Sequence, residues 1–552
     1  MATTPTVWKA SSLVNTSDNA EQQLNSQLLA LPDGGYLVVW EDHSGVHSPG
    51  SAVVAQKYDF LGNKAGGEVR ISQSNVDGTE PSVTLLSNGN IAVAFADDDG
   101  ASGDANLYVR VFNSNLGLVR TDTIDVSTAH TIHPEITALA DGVYTIAYNV
   151  VTGGGVDYDV VARVVGGTGV VGGQFDVLNE TDVSQNHQVA TLSNGNFIVV
   201  LDDQVSGDNN NHDIMYAVYG TQAIAITDVV GANSINDERF PDVAALKNGG
   251  FVVVWTDEMI DGAGTGIGAS VYTNAGAQVR VNFQVNTTET GNQSSASVVA
   301  LADGGFVVMW EHDAQSAVLA QRFDSGGDPI GSEFTVRAGG LDAAQATLLK
   351  DGRIAFAMDG FDFTGDEDVF TAIFDPRGAT INGTSGDDLL TSRREGGTVN
   401  GKGGDDELFG FEGKDKLNGG NGKDTLEGGK AKDILTGGNQ RDILTGGDGR
   451  DFFDFNKISE SKTGASRRDQ ITDFERGKDH IDLKTIDAKN GVSGNNKFEF
   501  IGRDDFSDTK GELRFKDLGS KVIVQGDVNG DGKADFEIMV KAGALGAGDF
   551  VL

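Results

Sequence analysis

Residues 419–455 read GGNGKDTLEGGKAKDILTGGNQRDILTGGDGRDFFDF and repeat one nine-residue phrase four times. Set in register, residues 383–454 form eight nonapeptides of the form G-G-x-G-x-D-x-U-x, where U is apolar. The second of them, SRREGGTVN at 392–400, is degenerate. A flexible glycine-rich linker would lack an apolar residue at a fixed place in every unit. The repeat therefore specifies a backbone shape with a buried interior.

Each position of the nonapeptide has a physical role. The glycines allow left-handed backbone conformations, so that carbonyl oxygens can point at one centre. The aspartate adds an anionic oxygen, which a hard cation prefers. The apolar residue begins a short strand and fills the interior; these residues are Leu390, Leu408, Leu417, Leu426, Leu435, Leu444 and Phe453. The pattern predicts a parallel β-roll over residues 381–456 that binds several Ca²⁺ ions.

The predicted calcium ligands are the glycines and aspartates of these repeats. They are Gly386, Asp388, Gly404, Asp406, Gly413, Asp415, Gly420, Gly422, Asp424, Gly429, Asp433, Gly438, Asp442, Gly447, Gly449 and Asp451. Ala431 and Gln440 stand where the third glycine is expected, and a positive φ there would cost each about 1–2 kcal/mol. The loops at 420–424 and 447–451 therefore match the pattern better than those at Asp433 and Asp442.

The residues after the repeats carry further motifs. They are DFFDFNKISES (451–461), RRDQITDFERGKDHIDLKTI (467–486), FEFIGRDDFSDTKGELRF (498–515), GDVNGDGKADFEIMV (526–540) and LGAGDFVL (545–552). Together with the repeats, this region resembles the C-terminal domain of serralysin-type metalloproteases. The resemblance implies a calcium-bound roll, a β-sandwich cap at 457–552 and an uncleaved signal for the type I secretion machinery at the extreme C-terminus. It therefore implies a secreted, extracellular protein.

The segment GDVNGDGKADFE has a logic of its own. Asp527, Asn529 and Asp531 alternate like the first ligands of an EF-hand loop, and Asp535 occupies the ninth position. The twelfth position holds Ile538 instead of glutamate, which excludes an EF-hand. A metal site and a turn tied by aspartate side chains both remain open.

A longer repeat fills the first part of the chain. The phrase LPDGGYLVVWED recurs at intervals of 48–55 residues; the seven copies begin at Leu31, Leu86, Leu139, Leu192, Leu246, Leu301 and Leu349. The Asp/Asn-Gly pair is typical of a tight hairpin turn, and the unbroken apolar run that follows fits a strand covered on both faces. Four strands per unit and no helical period predict a seven-bladed β-propeller over residues 1–380.

Two features add to this prediction. TVWKASSLVN (6–15) is similar to the last strand of each unit, and we expect it to complete the last blade, whose own final strand is truncated at ATIN (379–382). The units also resemble the LxDGGFVVxW repeats found in tandem in many large secreted proteobacterial proteins. That resemblance implies an extracellular interaction module without a defined activity.

Composition excludes several functions. The 552 residues include 41 basic and 81 acidic side chains, a net charge of −40, of which −33 falls on residues 1–378. Nucleic acid is therefore not an expected partner. Cysteine is absent, so disulfides are excluded. No apolar run is long enough to span or insert into a membrane.

The sequence carries no catalytic motif. HExxH, GxSxG and a P-loop are all missing, so the resemblance does not extend to protease activity. The histidines are scattered and favour surface positions over zinc ligation; they are His43, His47, His130, His133, His187, His212, His312 and His480.

Acidic residues follow the apolar strand of several units. They are Glu41, Asp42, Asp97, Asp98, Asp99, Asp202, Asp203, Asp257, Glu258, Glu311, Asp366, Glu367 and Asp368. They predict one rim of the propeller that is either a carbohydrate- or cation-binding face or simply solvated.

Two classes of function follow. The first is a secreted calcium-dependent binding or adhesion protein whose propeller holds a polysaccharide or a cell-surface partner. The second is a glycan-active hydrolase or lyase that uses carboxylate pairs in the propeller. The dispersed acids and the missing motifs favour the first class.

Overall fold

The computed structural model describes residues 4–16, 22–47, 50–73, 77–98, 105–125, 130–152, 157–177, 184–204, 211–220, 225–229, 237–339, 341–361 and 367–552. These residues form 44 strands and three short 3₁₀ helices, Ala140–Gly142, Asp313–Gln315 and Ala547–Asp549. The chain divides into two compact units, Ala2–Pro376 and Arg377–Leu552. The boundary predicted from the sequence, between residues 380 and 381, lies four residues later.

The first unit contains seven four-stranded antiparallel sheets, the blades of a propeller. Its first strand is β1 (Thr6–Leu13). Blade one is β2 (Gln23–Ala30), β3 (Tyr36–Asp42), β4 (Ala52–Tyr58) and β5 (Val69–Arg70). Blade two is β6 (Asp77–Leu85), β7 (Ile91–Asp98), β8 (Ala105–Phe112) and β9 (Leu118–Asp125). Blade three is β10 (His130–Ala138), β11 (Tyr144–Thr152), β12 (Asp157–Val165) and β13 (Phe175–Asp176).

Blade four is β14 (Ser184–Thr191), β15 (Phe197–Gln204), β16 (His212–Tyr219) and β17 (Ala225–Val229). Blade five is β18 (Glu238–Ala245), β19 (Gly250–Asp257), β20 (Gly266–Thr273) and β21 (Gln278–Gln284). Blade six is β22 (Gln293–Ala300), β23 (Phe306–His312), β24 (Ala317–Phe323) and β25 (Pro329–Ala338). Blade seven contains β26 (Leu341–Leu348), β27 (Ile354–Phe361) and β28 (Glu367–Asp375). The predicted seven-bladed propeller is confirmed.

The N-terminal strand closes the ring. Strand β1 pairs antiparallel with β28, with Thr6 opposite Asp375 and Leu13 opposite Phe370. The prediction for residues 6–15 is therefore confirmed. The expectation for residues 379–382 is wrong, because this segment pairs with Thr398–Asn400 of the second unit.

The propeller core lies between neighbouring blades. The second strand of each blade packs on both faces and is an unbroken apolar run in every blade but the third, where Thr145 and Asn149 interrupt it. Trp40, Trp255 and Trp310 on these strands are fully buried. One cluster, for example, joins Val254 of blade five to Trp310 of blade six. This arrangement explains why the runs do not alternate with polar residues.

The first strand of each blade packs against the first strands of both neighbouring blades and lines the central channel. These strands are more polar and share a β-bulge, visible as a register shift where β2 pairs with β3. A non-glycine residue with positive φ occupies the bulge in six blades; these residues are Asn25, Glu80, His133, Asn186, Phe240 and Ser295. The bulge bends each innermost strand at the mouth of the channel.

The second unit contains two sheets whose early strands alternate along the chain. The seven-stranded parallel sheet is β29 (Thr380–Asn382), β31 (Thr398–Gly403), β33 (Lys416–Asn421), β35 (Ile434–Asn439), β37 (Phe452–Asp454), β39 (His480–Asp482) and β44 (Phe550–Val551). The other begins with β30 (Leu389–Thr391), β32 (Glu407–Phe409), β34 (Thr425–Lys430), β36 (Ile443–Asp448) and β38 (Asp469–Ile471). It continues through β43 (Phe536–Val540), β42 (Val522–Asp527), β41 (Glu512–Asp517) and β40 (Glu499–Gly502).

Paired strands of the repeats are 18 residues apart, so that two nonapeptides make one coil of a parallel β-roll and each nonapeptide contributes one turn and one strand. Leu417, Leu426, Leu435 and Leu444 stack along its interior with no exposed surface. The cap extends both sheets of the roll and shares one hydrophobic core with them.

Candidate functional site

The aspartates of the roll form two hydrogen-bonded series along its turns. The Oδ1 atom of each accepts the backbone N–H of the residue 18 positions earlier in the chain. The Asp388 N–H lies 2.8 Å from Asp406 Oδ1, and the Asp406 N–H lies 2.9 Å from Asp424 Oδ1. On the opposite turns, the Asp415 N–H lies 2.8 Å from Asp433 Oδ1. Each aspartate therefore fixes the turn that precedes it.

The second carboxylate oxygen of these aspartates has no such partner. We define the aspartate ladder as Asp406, Asp415, Asp424, Asp433, Asp442, Asp451 and Asp469. Every member is at most 3 % exposed, and its Oδ2 is buried without a hydrogen-bond partner among the described residues. A buried anionic oxygen left without a partner is costly. The ladder therefore presents a row of uncompensated acceptors.

Backbone oxygens lie beside these acceptors. A Cβ atom on Gly419 would overlap both Asp424 Oδ2 and the carbonyl oxygen of Gly437. Only glycine fits there, and its absence of a side chain leaves carboxylate and carbonyl oxygens close together. A set of hard oxygen donors with one carboxylate per turn fits Ca²⁺.

Burial perturbs the ladder carboxyls. It raises the pKa of Asp424 to about 6 and that of Asp433 to about 7, and the neighbouring ladder carboxylates add to the effect. Burial likewise raises the pKa of Asp442 to about 7 and of Asp469 to about 9. The ladder therefore either keeps protons near neutral pH or needs a cation in their place.

The predicted glycines divide into two groups. Those with positive φ are Gly404, Gly420, Gly422, Gly429, Gly438 and Gly447. Gly413 and Gly449 do not have positive φ, but a Cβ on either would overlap the backbone of the preceding turn, and Gly386 shows neither constraint. Ala431 and Gln440 have φ of 78° and 87°, so the strain predicted there is present. The sequence did not predict the positive φ of Lys402 and Phe411.

Side chains alone do not form a metal cluster here. Across the residues with described structure, no group of three or more His, Cys, Asp or Glu side chains could hold a metal ion. Each roll turn supplies one carboxylate, so its remaining ligands would be backbone carbonyls.

The loop with Asp527 makes its own hydrogen bonds. Its Oδ1 accepts from the Gly530 N–H at 2.6 Å, and its Oδ2 accepts from the Gly532 N–H at 2.8 Å. Asp535 accepts from the Val528 N–H and from Asn529 Nδ2, both at 2.8 Å. Asp531 accepts from the Lys533 N–H at 3.0 Å. These hydrogen bonds are the ones expected of a turn tied by aspartate side chains. A metal site at this loop stays a prediction.

Several acids of the predicted propeller rim are buried between blades. Oε2 of Glu41 accepts from Asn25 Nδ2 at 3.1 Å and from the Glu80 N–H of the next blade at 3.0 Å. Asp202 accepts from the Phe240 N–H of the next blade at 3.1 Å. Asp359 accepts from the Ser26 N–H at 3.1 Å. Glu41 and Asp202 thus fasten one blade to the bulge of the next, so the expected solvated face is wrong for them. Asp359, which was not among the predicted rim acids, makes the same kind of contact between blades seven and one.

Other members of that predicted rim are also buried, namely Asp42, Asp97, Asp257, Glu367 and Asp368. Asp99, Asp366 and the side chain of Asp98 lie outside the described residues. Three histidines expected at the surface, His187, His212 and His312, are buried as well. His212 pairs with Asp237 at 3.0 Å, whereas His187 lines the central channel.

The channel contains a cavity of about 240 Å³, lined by the innermost strands of blades three to seven. Two carboxyls face it. Glu135 accepts from Ser82 Oγ at 3.0 Å and from Gln188 Nε2 at 3.3 Å. Asp242 accepts from Ser297 Oγ at 2.9 Å and from the Val298 N–H at 2.8 Å.

The surroundings shift the protonation of these groups. Burial raises the pKa of Glu135 to about 8 and also raises that of Asp242. Burial lowers the pKa of His187 to about 4, so its imidazole is neutral. No sequence motif predicted this cavity, although Glu135 and Asp242 each stand four residues before a repeat leucine, where the other blades carry Gln or Ser.

The fold resembles solved propeller structures at low identity. A protein of unknown function from Dyadobacter fermentans is 13 % identical over 55 % of this chain and 96 % of its own, with a TM-score of 0.43. An ulvan lyase of a new polysaccharide lyase family is 11 % identical over 68 % and 97 %, with a TM-score of 0.45. An α-L-arabinanase from Penicillium chrysogenum, bound to arabinobiose, is 11 % identical over 54 % and 93 %, with a TM-score of 0.36. These likenesses are too distant to bear on activity.

Three further findings complete the comparison. Among the residues that the structure describes, no helix is long and apolar enough to cross a membrane. No curated protein sequence matches the chain. Residues 379–552, which contain the whole aspartate ladder, match the family model of the peptidase M10 serralysin C-terminal domain.

Proposed function

We propose that the chain is a secreted, calcium-binding protein of the RTX type whose roll folds on Ca²⁺ and whose propeller is an extracellular binding or adhesion module. The observation that carries the proposal is the row of buried, unpartnered Oδ2 atoms in the aspartate ladder. Bound Ca²⁺ would supply the positive charge that these oxygens lack. The match of residues 379–552 to the serralysin C-terminal family supports the same conclusion.

The aspartates and the glycines of the roll have different roles in the proposed calcium sites. The ladder aspartates hold the turns in register through Oδ1 and present Oδ2 to the ion, while the glycines keep side chains away from it. Extracellular calcium sites typically have Kd values of about 10⁻⁴–10⁻³ M. At about ten times Kd, each bound ion adds roughly 1.4 kcal/mol to the free energy of unfolding.

A calcium titration of the full chain tests this proposal. After removal of ions with EGTA, Ca²⁺ should bind at several sites by calorimetry and restore protection of residues 383–454 from proteolysis, whereas Mg²⁺ should not. Asp433→Asn should lower the number of bound ions. Glu427→Gln removes one charge from an exposed position of the same roll and should leave that number unchanged. A roll that resists proteolysis equally in EGTA would contradict the proposal.

Export is the second part of the proposal. The last four residues, Asp549 to Leu552, match the acid-plus-apolar tail that the serralysin resemblance implies for type I secretion. Phe550–Val551 is also the edge strand of the seven-stranded sheet. In a host carrying a type I exporter, the full chain should reach the medium, and a chain lacking the last four residues should stay in the cells. Equal export of both chains would contradict the proposal that the last four residues are needed for export.

The propeller is proposed to bind an extracellular polysaccharide or a cell-surface partner. A glycan array probed with the full chain in Ca²⁺ tests this. Selective binding to some glycans would support a polysaccharide ligand. The absence of binding to every glycan would point to a protein partner.

The catalytic alternative has one observation in its favour. Glu135, with its raised pKa, is protonated at neutral pH and lines the same cavity as Asp242, as a general acid would require. A reducing-end assay across acidic and neutral glycans decides between the two functions, because a pure binding module releases no product.

A further inference from the structure

We propose that the channel cavity of the propeller binds a single sugar residue that carries no anionic group, through hydrogen bonds with Glu135, Asp242 and His187 and stacking on Phe240. The inference rests on the proposed binding function and adds the site and the ligand class to it. The cavity lies on the axis of the ring, among residues of blades three to seven.

The two carboxyls have acceptor capacity left for a ligand. Oε1 of Glu135 receives only one side-chain bond, from Gln188 at 3.3 Å. Asp242 Oδ1 receives one bond, from the adjacent Val243 N–H at 2.7 Å. A carboxyl oxygen can accept two bonds, so each group can also receive a ligand hydroxyl. Amide side chains of Gln188 and Gln345 line the same cavity and can donate as well as accept.

His187 is an independent indication that something polar enters. It lines the cavity and is 3 % exposed. Neither ring nitrogen makes a hydrogen bond of normal geometry among the described residues, and only the backbone of Ala147 and His133 lies close enough to raise its pKa. A buried imidazole with such poor hydrogen bonds is costly. A neutral imidazole offers one donor and one acceptor, and a sugar hydroxyl can satisfy either.

Phe240 supplies an aromatic face at the cavity. Phe240 is 48 % exposed and lines the cavity. Its backbone has a φ of 54°, a conformation that bulky residues rarely adopt. The equivalent bulge residues of the neighbouring blades, Asn186 and Ser295, are small and polar. Phe240 thus brings the one aromatic ring among the bulge residues that line the cavity, apart from the imidazole of His133, and such a face can stack on a sugar.

Size and charge define the ligand class. A volume of about 240 Å³ is smaller than a typical pocket for a drug-sized molecule, so it admits one sugar residue and not a folded chain segment. The carboxylate of Asp242 raises the electrostatic cost of an anion in the cavity, and residues 1–378 carry a net charge of −33. Uronic and sulfated sugars are therefore excluded.

The test is saturation-transfer NMR on the full chain in Ca²⁺ with methyl glycosides as probes. The panel contains glucose, galactose, mannose, xylose, arabinose, glucosamine, glucuronic acid and galacturonic acid. We expect saturable binding of at least one uncharged or amino sugar and none of the two uronic acids. Phe240→Asn, which copies the residue of the preceding blade and tolerates positive φ, should weaken that binding about fivefold. Asp242→Asn should also weaken it.

Phe361→Asn serves as the matched control, because Phe361 is 44 % exposed and lies outside the cavity. Binding that is unchanged in Phe240→Asn, a preference for uronic acids, or no binding by any uncharged or amino sugar overturns the inference. A glycan array run on the same variants separates the two proposals. Array binding that survives Phe240→Asn and Asp242→Asn places the ligand elsewhere and keeps the binding function. An array that stays silent with the unsubstituted chain removes the polysaccharide part of that function.

Discussion

Glu41 of the propeller and Asp433 of the roll are both buried acids, yet the chain treats them in opposite ways. Glu41 Oε1 lies 2.6 Å from His43 Nε2, and its Oε2 accepts from Asn25 and from the Glu80 N–H. These hydrogen bonds outweigh the effect of burial and lower the pKa of Glu41. Asp433 receives one backbone bond through Oδ1, and burial raises its pKa to about 7.

This difference indicates what stabilises the buried acids of each region. The propeller satisfies acids such as Glu41 with donors from neighbouring blades, so its fold does not depend on an added cation there. The roll repeats one acid per turn with half of its acceptors unused, so its stability depends on what fills them.

The two units can be followed separately by spectroscopy. All four tryptophans and all nine tyrosines of the chain precede residue 376. Tryptophan fluorescence therefore reports on the propeller alone, and a far-UV change without a fluorescence change reports on the roll and cap.

The largest effect should come from calcium removal. In EGTA, residues 383–454 should become sensitive to proteases, while tryptophan fluorescence of the propeller stays constant. At roughly 1.4 kcal/mol per ion, about five ions would contribute about 7 kcal/mol, comparable with the stability of a whole domain. A simultaneous loss of both signals would show that the two regions do not differ in this way.

Removal of residues 1–16 should destabilise the propeller and leave the roll unchanged. The deletion takes away β1 and the buried Trp8, whose ring lies 3.8 Å from the Arg353 guanidinium. We expect the melting temperature of the fluorescence transition to fall by roughly 10 °C or more. Val7→Ala, at a position that is 47 % exposed, is the control on the same strand. An unchanged transition would mean that the strand does not close the ring in solution.

The calcium-free roll should become more stable as the pH falls. The pKa values of Asp424, Asp433 and Asp442 rise to about 6, 7 and 7 in the folded state. Carboxyls with raised pKa contribute stability that is complete below their unfolded value, near 3.8, and is lost as the pH rises through 6–7. In EGTA, the far-UV denaturation midpoint should therefore be higher at pH 5 than at pH 8. In Ca²⁺ the order should reverse, because protons compete with the ion; the same order in both conditions would contradict the assignment.

Ala431→Gly and Gln440→Gly should each raise the free energy of unfolding of the calcium-loaded roll. Both residues have positive φ, and relief of that strain is worth about 1 kcal/mol. Ala488→Gly, at a buried residue of the same unit without positive φ, should lower it instead. Denaturant unfolding followed by far-UV circular dichroism measures all three, and a loss of stability in both repeat variants would refute the strain.

The smallest effect should come from Asp531→Ala. Both oxygens of Asp527 already accept backbone N–H groups in this loop, so we expect the number of bound Ca²⁺ ions to stay the same. Calorimetry that finds one ion fewer would establish the metal interpretation of residues 527–535.

Much of the fold could be predicted from the sequence because its repeats are explicit. The Asp/Asn-Gly turn at Leu31 and the run that ends at Trp40 fixed the blades, and the leucine of each nonapeptide fixed the roll. The innermost strands could not be located from the sequence, because a strand that borders a channel needs no continuous apolar run. Glu135 and Asp242 were missed for the same reason. The inter-blade contacts of Glu41 join residues distant in sequence, so no local pattern could reveal them.

The aspartate ladder also has a direction. From Asp406 to Asp451, the N–H of each ladder aspartate bonds to an aspartate that comes later in the chain, and the last two acceptors, Asp469 and Asp479, belong to the cap. The aspartate N–H of each turn is therefore satisfied only when its C-terminal neighbour is in place. The roll should nucleate on the cap and propagate toward Asp388, so the order of assembly runs opposite to the order of synthesis.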